Sequence, residues 1–291
     1  MLPPAAFGVI SLFWGLTWLT GKIGVSAVPT QFFTSSRFLA AGIVLIAWFA
    51  LRGQRIWPPR AQLARVMVIA ALMMFVSPGL NFWGLGRTGS GLAAVINLSL
   101  TPMVLYVVGL LTGVERRSAS LDLALALGLA GLALLFAPRL QAWGSDGWGL
   151  AAIVVGTSCL ATGSVISRPL AGIYGALPLA GVTSLIGGAG LMTLSLLIEH
   201  PDGATLTAMA EPAVLGSWLF MLFGGSLLAT PLFFWLLREW GPARAGLYAF
   251  VSPVIAVVVG ILVLDERVAP LEALGMGAML VATWIALRRR G

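Results

Sequence analysis

Few residues of this chain could do chemistry, because only 9% of its 291 residues are charged. All ten acidic residues lie at the ends of apolar stretches or between them, so no pair of carboxylates is placed for acid–base work. The single histidine, His200, excludes a multi-histidine metal site and an HExxH protease, and no serine has the histidine partner that a triad needs. We therefore expect no enzymatic activity, no metal and no cofactor.

Polar residues inside or beside the apolar stretches are better suited to binding. Asn81 and Asn97 could hydrogen-bond either to a neighbouring helix or to a substrate. Lys22 and Arg168 each end an apolar stretch, where snorkelling to lipid headgroups competes with capture of a substrate carboxylate. Arg37 lies several residues inside a stretch and should face protein or water, because a charge is costly in hydrocarbon. Packing near polar backbone and contact with a substrate both fit Arg37.

Deep aromatic residues and prolines complete the candidate site. Most deep aromatics should pack or contact lipid, but a cavity for flat apolar side chains needs a few of them. Thr101-Pro102 and Ser252-Pro253 each free a backbone carbonyl inside a helix, which indicates either a binding site or a bend needed for packing. The predicted substrate-binding residues are Trp18, Lys22, Asn81, Phe82, Asn97, Thr101, Tyr248 and Ser252. The predicted helix breaks, with a gating role, are Pro78, Pro102, Pro231 and Pro253.

The elements that must position these residues are apolar stretches long enough to cross a bilayer. The chain is 59% hydrophobic with a mean hydropathy of +1.00. About 20 apolar residues span the hydrocarbon core as a helix, and lipid favours helices because it cannot satisfy exposed backbone groups. The predicted spans, numbered 1 to 10, are Pro4–Ile23, Phe32–Leu51, Val66–Leu85, Gly91–Val114, Leu121–Ala137, Trp148–Ser167, Pro178–Ile198, Val214–Leu237, Ala243–Leu264 and Leu271–Leu287. We expect polar connectors at Pro138–Gly147 and Glu199–Glu211.

The chain also repeats its own features. Thr101-Pro102 and Glu115-Arg116 recur 151 residues later as Ser252-Pro253 and Glu266-Arg267. The two glutamates could act as a gate or as ligands of a substrate. We favour the alternative, in which each forms an ion pair or a cap at the end of a helix. Because each half holds an odd number of spans, the second half should enter the membrane upside down, as in secondary transporters. The predicted halves are residues 1–140 and 141–291, and two such halves can rock about a shared site.

Basic residues predict the orientation, since Lys and Arg are enriched in cytoplasmic connectors. The side that holds both termini carries Arg52, Arg55, Arg60, Arg65, Arg116, Arg117, Arg168, Arg238, Arg244, Arg288, Arg289 and Arg290, whereas the other side carries Lys22, Arg87, Arg139 and Arg267. We therefore predict cytoplasmic termini. The net charge of +7 then reports orientation, and nucleic acid is not expected as a partner.

With these features the chain resembles the drug/metabolite transporter superfamily, EamA type. The matching features are the ten short spans, Trp14-Gly15 in span 1, and the Thr-Pro or Ser-Pro to Glu spacing that closes spans 4 and 9. The resemblance covers the whole chain, which looks most like the bacterial aromatic amino acid exporters of the YddG kind. It implies a central cavity lined mainly by spans 1, 3, 4, 6, 8 and 9, and export of amino acids across the inner membrane.

We therefore expect an all-α integral membrane protein with ten transmembrane helices in two inverted five-helix repeats. It should export aromatic and other amino acids by alternating access, without ion coupling because no carboxylate lies at a predicted mid-membrane position. The alternatives are export of a nucleotide-sugar, drug or other metabolite, a membrane enzyme acting on lipids, or a membrane scaffold. The expected partners are a small-molecule substrate and the lipid bilayer, and the chain is expected to be a monomer.

Overall fold

The computed structural model of this protein describes residues 3–54, 56–88, 90–137, 146–264 and 269–288, and these residues form helices and no strand. Ten of the helical segments in this part of the chain are long and apolar enough to cross a membrane, which confirms the predicted fold class. Spans 1 to 10 comprise Pro3–Ala27, Thr30–Leu51, Arg60–Arg87, Ser90–Leu111, Ala119–Phe136, Gly147–Tyr174, Ala176–Ile198, Pro212–Trp240, Pro242–Ala245 with Tyr248–Leu264, and Pro270–Arg288.

Two sequence predictions need correction, the end of span 6 and the loop after span 7. Span 6 does not end at Ser167 but continues through Pro169 to Tyr174, where Gly175 ends it with a φ of 94°. The predicted polar loop Glu199–Glu211 contains the short helix Gly203–Ala210. This helix starts at a capping box, in which Asp202 and Thr205 each accept a hydrogen bond from the other's backbone N–H. Residues 138–145 of the predicted connector and Glu266 lie outside the described residues.

The packing of the spans repeats between the two halves. Span 3 packs on span 6 as span 8 packs on span 1, and span 4 packs on span 6 as span 9 packs on span 1. Spans 2 and 7 pack on each other, and so do spans 5 and 10. Exchanging the halves therefore preserves the neighbours of each span, as an inverted repeat requires. The division at residue 140 remains a prediction.

Glycines allow the two symmetric pairs to cross closely. A Cβ at Gly42 would lie 2.6 Å from the backbone nitrogen of Leu185, so spans 2 and 7 nearly touch through their backbones. A Cβ at Gly275 would lie 2.5 Å from the carbonyl oxygen of Gly131, where span 10 crosses span 5. Small residues at such crossings are typical of membrane helices, because close backbone contact supplies the packing energy.

Spans 3 and 8 share one irregularity. In each, a π-helical segment, Ala71–Val76 or Met221–Ala229, is followed by a Ser-Pro or Thr-Pro pair. Proline lacks an N–H and collides with the preceding turn, and a wider turn accommodates it. The predicted breaks at Pro78 and Pro231 therefore occur as π segments in continuous spans.

The other two predicted breaks are not formed. The helices of spans 4 and 9 run through Pro102 and Pro253 without interruption. Neighbouring helices can hold a proline-containing helix together in a membrane protein, because packing compensates for the lost hydrogen bond. The gating role of all four prolines remains a prediction.

Candidate functional site

A cavity of about 130 Å³ lies at the centre of the bundle. Its lining residues are Trp14, Thr17, Trp18, Arg37, Phe38, Met73, Met74, Ser77, Pro78, Asn81, Phe82, Asn97, Leu98, Leu160, Gly225, Thr230, Phe233 and Tyr248. They come from spans 1, 3, 4, 6, 8 and 9, as the resemblance implied, and also from span 2. The cavity is smaller than the roughly 300–1,000 Å³ of typical ligand pockets, so a substrate would fit only after the spans move apart.

Ser77, Asn81 and Asn97 form a polar part of the lining, here called the polar wall, and the fully buried Thr157 supports them from behind. Asn97 Nδ2 donates to Thr157 Oγ1 at 2.7 Å, and Thr157 Oγ1 donates to Asn81 Oδ1 at 3.3 Å. Asn81 Nδ2 donates in turn to Ser77 Oγ at 3.2 Å. This relay joins spans 4, 6 and 3. Both asparagines therefore form hydrogen bonds between helices, which is one of the two roles that the sequence allowed them. Asn81 and Asn97 also line the cavity, which leaves a substrate role open to them.

A second group of lining residues, here called the aromatic wall, consists of Trp14, Phe233 and Tyr248. The ring centroid of Trp14 lies 4.8 Å from that of Phe233 and 4.9 Å from that of Tyr248. Trp14 Nε1 donates to the carbonyl oxygen of Gly225 at 3.3 Å, which fixes the indole against span 8. Edge and tilted contacts of this kind are the favoured geometry for aromatic pairs. Sequence reasoning placed Tyr248 here but not its two neighbours.

Trp18 and Phe82 are two further aromatic residues of the lining. Their rings stack with centroids 6.5 Å apart, and both residues line the cavity, where the sequence placed them. A second, apolar pocket of about 210 Å³ shares Trp18 and Leu98 with it. Pro253 and Val257 of span 9 also line this second pocket.

Arg37 brings a positive charge to the cavity. Its side chain is buried, with 6% of the residue exposed, and Nη1 donates to Ser226 Oγ at 3.1 Å. The guanidinium carbon lies 4.2 Å from the ring centroid of Phe38 and 5.4 Å from that of Phe82. The sequence left Arg37 between packing and substrate contact, and the structure places it in the lining.

Three predicted binding residues do not line the cavity. Lys22 Nζ donates to the carbonyl oxygens of Leu85 at 2.8 Å and Thr88 at 3.2 Å, so it caps the end of span 3. Thr101 Oγ1 donates to its own helix at Asn97 O, 2.7 Å away. Ser252 Oγ donates to Ser11 O at 2.9 Å and joins span 9 to span 1. Each side chain is engaged elsewhere because free backbone carbonyls lie within its reach.

The end of the bundle that carries the termini, here called the terminal end, is closed by direct contacts. Glu115 Oε1 accepts a hydrogen bond from the backbone N–H of Ala243 at 3.2 Å, which caps the start of span 9 as we favoured for this glutamate. Arg168 Nη1 donates to Val114 O at 2.7 Å, and the rings of Phe7 and Trp240 lie 5.6 Å apart. The apolar pocket beside Trp18 lies towards the other end.

Thr157 is the member of the hydrogen-bonded relay that the sequence gave no reason to select. It lies in an apolar span, and one threonine among small residues usually bonds to its own helix. Its importance arises because Gly156 lets span 3 approach: a Cβ there would lie 2.9 Å from Ser77 O. Only the packed structure shows that Asn81 and Asn97 meet through this hydroxyl.

Comparison with known proteins gives the family. A model described as the EamA-like transporter family matches residues 5–137 and again residues 147–288. The uncharacterised inner membrane transporter YedA of Escherichia coli strain K12 is 30% identical over 282 residues, covering 95% of this chain and 88% of YedA. Protein PecM of Dickeya dadantii strain 3937 is 27% identical, covering 90% of this chain and 84% of PecM.

A solved crystal structure aligns with a TM-score of 0.76 at 19% identity, covering 98% of this chain and 96% of that chain, which shows a shared fold. The names of YedA and PecM state no substrate, so the finer resemblance to aromatic amino acid exporters remains a prediction. The matched family and YedA are both described as transporters, which confirms the prediction that this protein is a transporter and not an enzyme. Because both halves match its model, this chain belongs to the EamA-like transporter family.

Proposed function

We propose that this protein exports amino acids, including aromatic ones, across the inner membrane. The observation that carries the proposal is the mixed lining of the central cavity, in which amides and hydroxyls of the polar wall occur together with the three rings of the aromatic wall. An amino acid with a flat apolar side chain offers a complementary group to each wall. The YddG-like resemblance supports the substrate class, and the description of YedA as an inner membrane transporter supports the location.

Alternating access is the proposed mechanism. The difference between a closed terminal end and an apolar pocket towards the other end supports it. With cytoplasmic termini, the protein in this conformation is closed to the cytoplasm. Rocking of residues 1–140 against 141–291 would exchange the closed and open ends, because equivalent spans occupy equivalent places in the two halves.

Export without ion coupling is part of the proposal. Proton- and sodium-coupled transporters usually carry a carboxylate within the membrane. No acidic residue of the described chain lines the central cavity. One chain supplies the whole lining, so the proposal requires no second copy of the protein.

Counterflow in liposomes tests the proposal. Liposomes that contain the purified protein and unlabelled L-phenylalanine should accumulate external labelled L-phenylalanine, with or without a pH gradient. Phe82→Ala should raise the KM, because Phe82 lines the cavity, whereas Phe223→Ala should not, because Phe223 is exposed outside it. Lack of counterflow with every amino acid would refute the substrate class, and dependence on the pH gradient would refute uncoupled export.

A further inference from the structure

Arg37 lines the cavity and forms no ion pair with any acidic residue that the structure describes, and we infer that its guanidinium binds a carboxylate of the transported solute. The inference rests on the proposed function in taking the central cavity as the substrate site. Arg37 is the one basic residue of the described chain among the lining residues. A cation at this depth needs either a partner or a function, because burying a charge in a membrane protein is costly.

The hydrogen-bonding capacity of Arg37 is largely unused. A guanidinium has five N–H donors, and one bond, from Nη1 to Ser226 Oγ, is formed to a neighbouring side chain. The buried Nε has no partner. None of the acidic side chains that the structure describes forms an ion pair with Arg37; their pairs are with Arg87, Arg117 and Arg238.

Two other cations in the spans show what a purely structural role looks like. Lys22 donates to carbonyl oxygens at the end of span 3, and Arg168 donates to Val114 O at the end of span 4. Exposed carbonyls at a helix end are natural partners for a cation, because they carry the negative end of the helix dipole. In the described part of the chain, the hydrogen bond of Arg37 goes to a side chain, Ser226 Oγ, and not to a helix-end carbonyl, and Arg37 lines the cavity.

Aromatic rings hold the guanidinium in place without neutralising it. Its carbon lies 4.2 Å from the centroid of Phe38 and 5.4 Å from that of Phe82, within the range of cation–π contacts. Phe82 in turn stacks on Trp18, which also lines the cavity. Such contacts leave the N–H donors free, and a carboxylate is the group whose two oxygens match the planar fork of an arginine.

The same cavity offers no matching charge for an ammonium group. Its lining contains Arg37 and no carboxylate among the described residues, so an ammonium can meet only amide oxygens, hydroxyls and ring faces. Charge-assisted hydrogen bonds are roughly twice as strong as neutral ones. The carboxylate of the solute should therefore dominate recognition, and carboxylates that lack an amine should bind as well.

Ligand titrations on the purified protein test this inference. The probes are L-phenylalanine, 3-phenylpropionate and L-phenylalaninamide, followed by thermal unfolding and by tryptophan fluorescence. The two carboxylates should bind with affinities within about 10-fold of each other, and the amide about 10- to 100-fold more weakly. Arg37→Gln should abolish the preference for carboxylates and Arg37→Lys should retain part of it. Lys22→Gln, a cation outside the cavity, should leave the preference unchanged.

The wild-type protein alone can overturn the inference, whatever the variants do. Equal affinity for L-phenylalanine and its amide, or no binding of either carboxylate, would contradict it. Unchanged carboxylate preference in a folded Arg37→Gln variant would do the same. Failure of the proposed function gives a different result, in which amino acid counterflow is absent while 3-phenylpropionate still binds the wild type more tightly than Arg37→Gln.

Discussion

The polar wall and the aromatic wall of the cavity are built on equivalent frameworks. Spans 3, 4 and 6 pack together as spans 8, 9 and 1 do, so the two trios correspond when the halves are exchanged. Tyr248 follows Asn97 by 151 residues, the offset of the paired Thr-Pro and Ser-Pro motifs, and Leu160 follows Trp14 by 146. All four residues line the cavity. Equivalent backbone positions therefore face the same space but carry different chemistry.

The contrast teaches that the repeat determines packing but not recognition. Glycines and π segments recur in both halves because close crossings and proline-containing helices require them. The cavity side chains are free of that constraint, so one wall has become a hydrogen-bonded relay and the other an aromatic cluster. If the carboxylate of the solute binds Arg37 of span 2 as proposed, this asymmetry would direct the side chain of an amino acid towards the rings.

Removing the central ring of the aromatic wall should have the largest effect. Trp14→Ala should destabilise the protein by about 3–5 kcal/mol, the usual cost of replacing a packed aromatic residue by alanine. Counterflow of L-tryptophan should fall to background. Trp14→Phe keeps a ring beside Phe233 and Tyr248 and should retain most transport. Thermal unfolding and counterflow measure both outcomes, and transport that survives in Trp14→Ala would show that the rings are packing only.

Filling the crossing behind the polar wall should have the next largest effect. A Cβ at Gly156 would lie 2.9 Å from Ser77 O and 3.0 Å from Asn81 Oδ1. Gly156→Ala should therefore cost about 1–3 kcal/mol by overpacking and displace Asn81. Gly216→Ala is the matched control, since nothing lies within 4 Å of its added methyl. Equal unfolding temperatures of the two variants would mean that span 3 can move away without loss.

Cutting the relay of the polar wall should cost less. Thr157→Val keeps the shape of the side chain but removes the acceptor of Asn97 Nδ2 and the donor to Asn81 Oδ1. Hydrogen bonds between membrane helices are worth about 0.6–1.7 kcal/mol, so the loss of stability should be of that order. Thr193→Val, whose exposed hydroxyl bonds to its own helix, should change nothing. A Thr157→Val protein as stable as Thr193→Val would show that the relay contributes nothing to the stability of the fold.

The ten spans could be predicted from hydropathy and length. The spans that line the cavity came from the resemblance to the transporter superfamily, which did not imply the contribution of span 2. Trp18, Phe82 and Tyr248 were selected as deep aromatics, and all three line the cavity. Asn81 and Asn97 were selected as rare amides in apolar spans, a strong signal because lipid offers them no partner.

The contacts of the other site residues could not be predicted, because they depend on which helices come within reach of each side chain in the packed structure. Lys22 was a candidate ligand until the carbonyls of Leu85 and Thr88 were found beside its ammonium group. Thr157 gave no signal, since its two partners lie 60 and 76 residues away in the chain. The charge of Arg37 inside an apolar span indicated a special position, but the sequence could not decide whether the side chain faces the cavity or packs near polar backbone.

The mildest test compares equivalent positions on the two walls. Tyr248→Phe keeps the ring contacts with Trp14 and Phe233 and removes only the hydroxyl, which interacts with the side chain of Thr101. It should change stability by less than about 1 kcal/mol and the KM for L-phenylalanine by less than about threefold. Asn97→Leu also removes polar atoms, but it deprives Thr157 of its donor and should raise the KM several-fold. Counterflow kinetics on both variants decide the matter. If Tyr248→Phe impairs transport as much as Asn97→Leu, the phenol is a polar contact, and the division of the cavity into two chemically distinct walls is wrong.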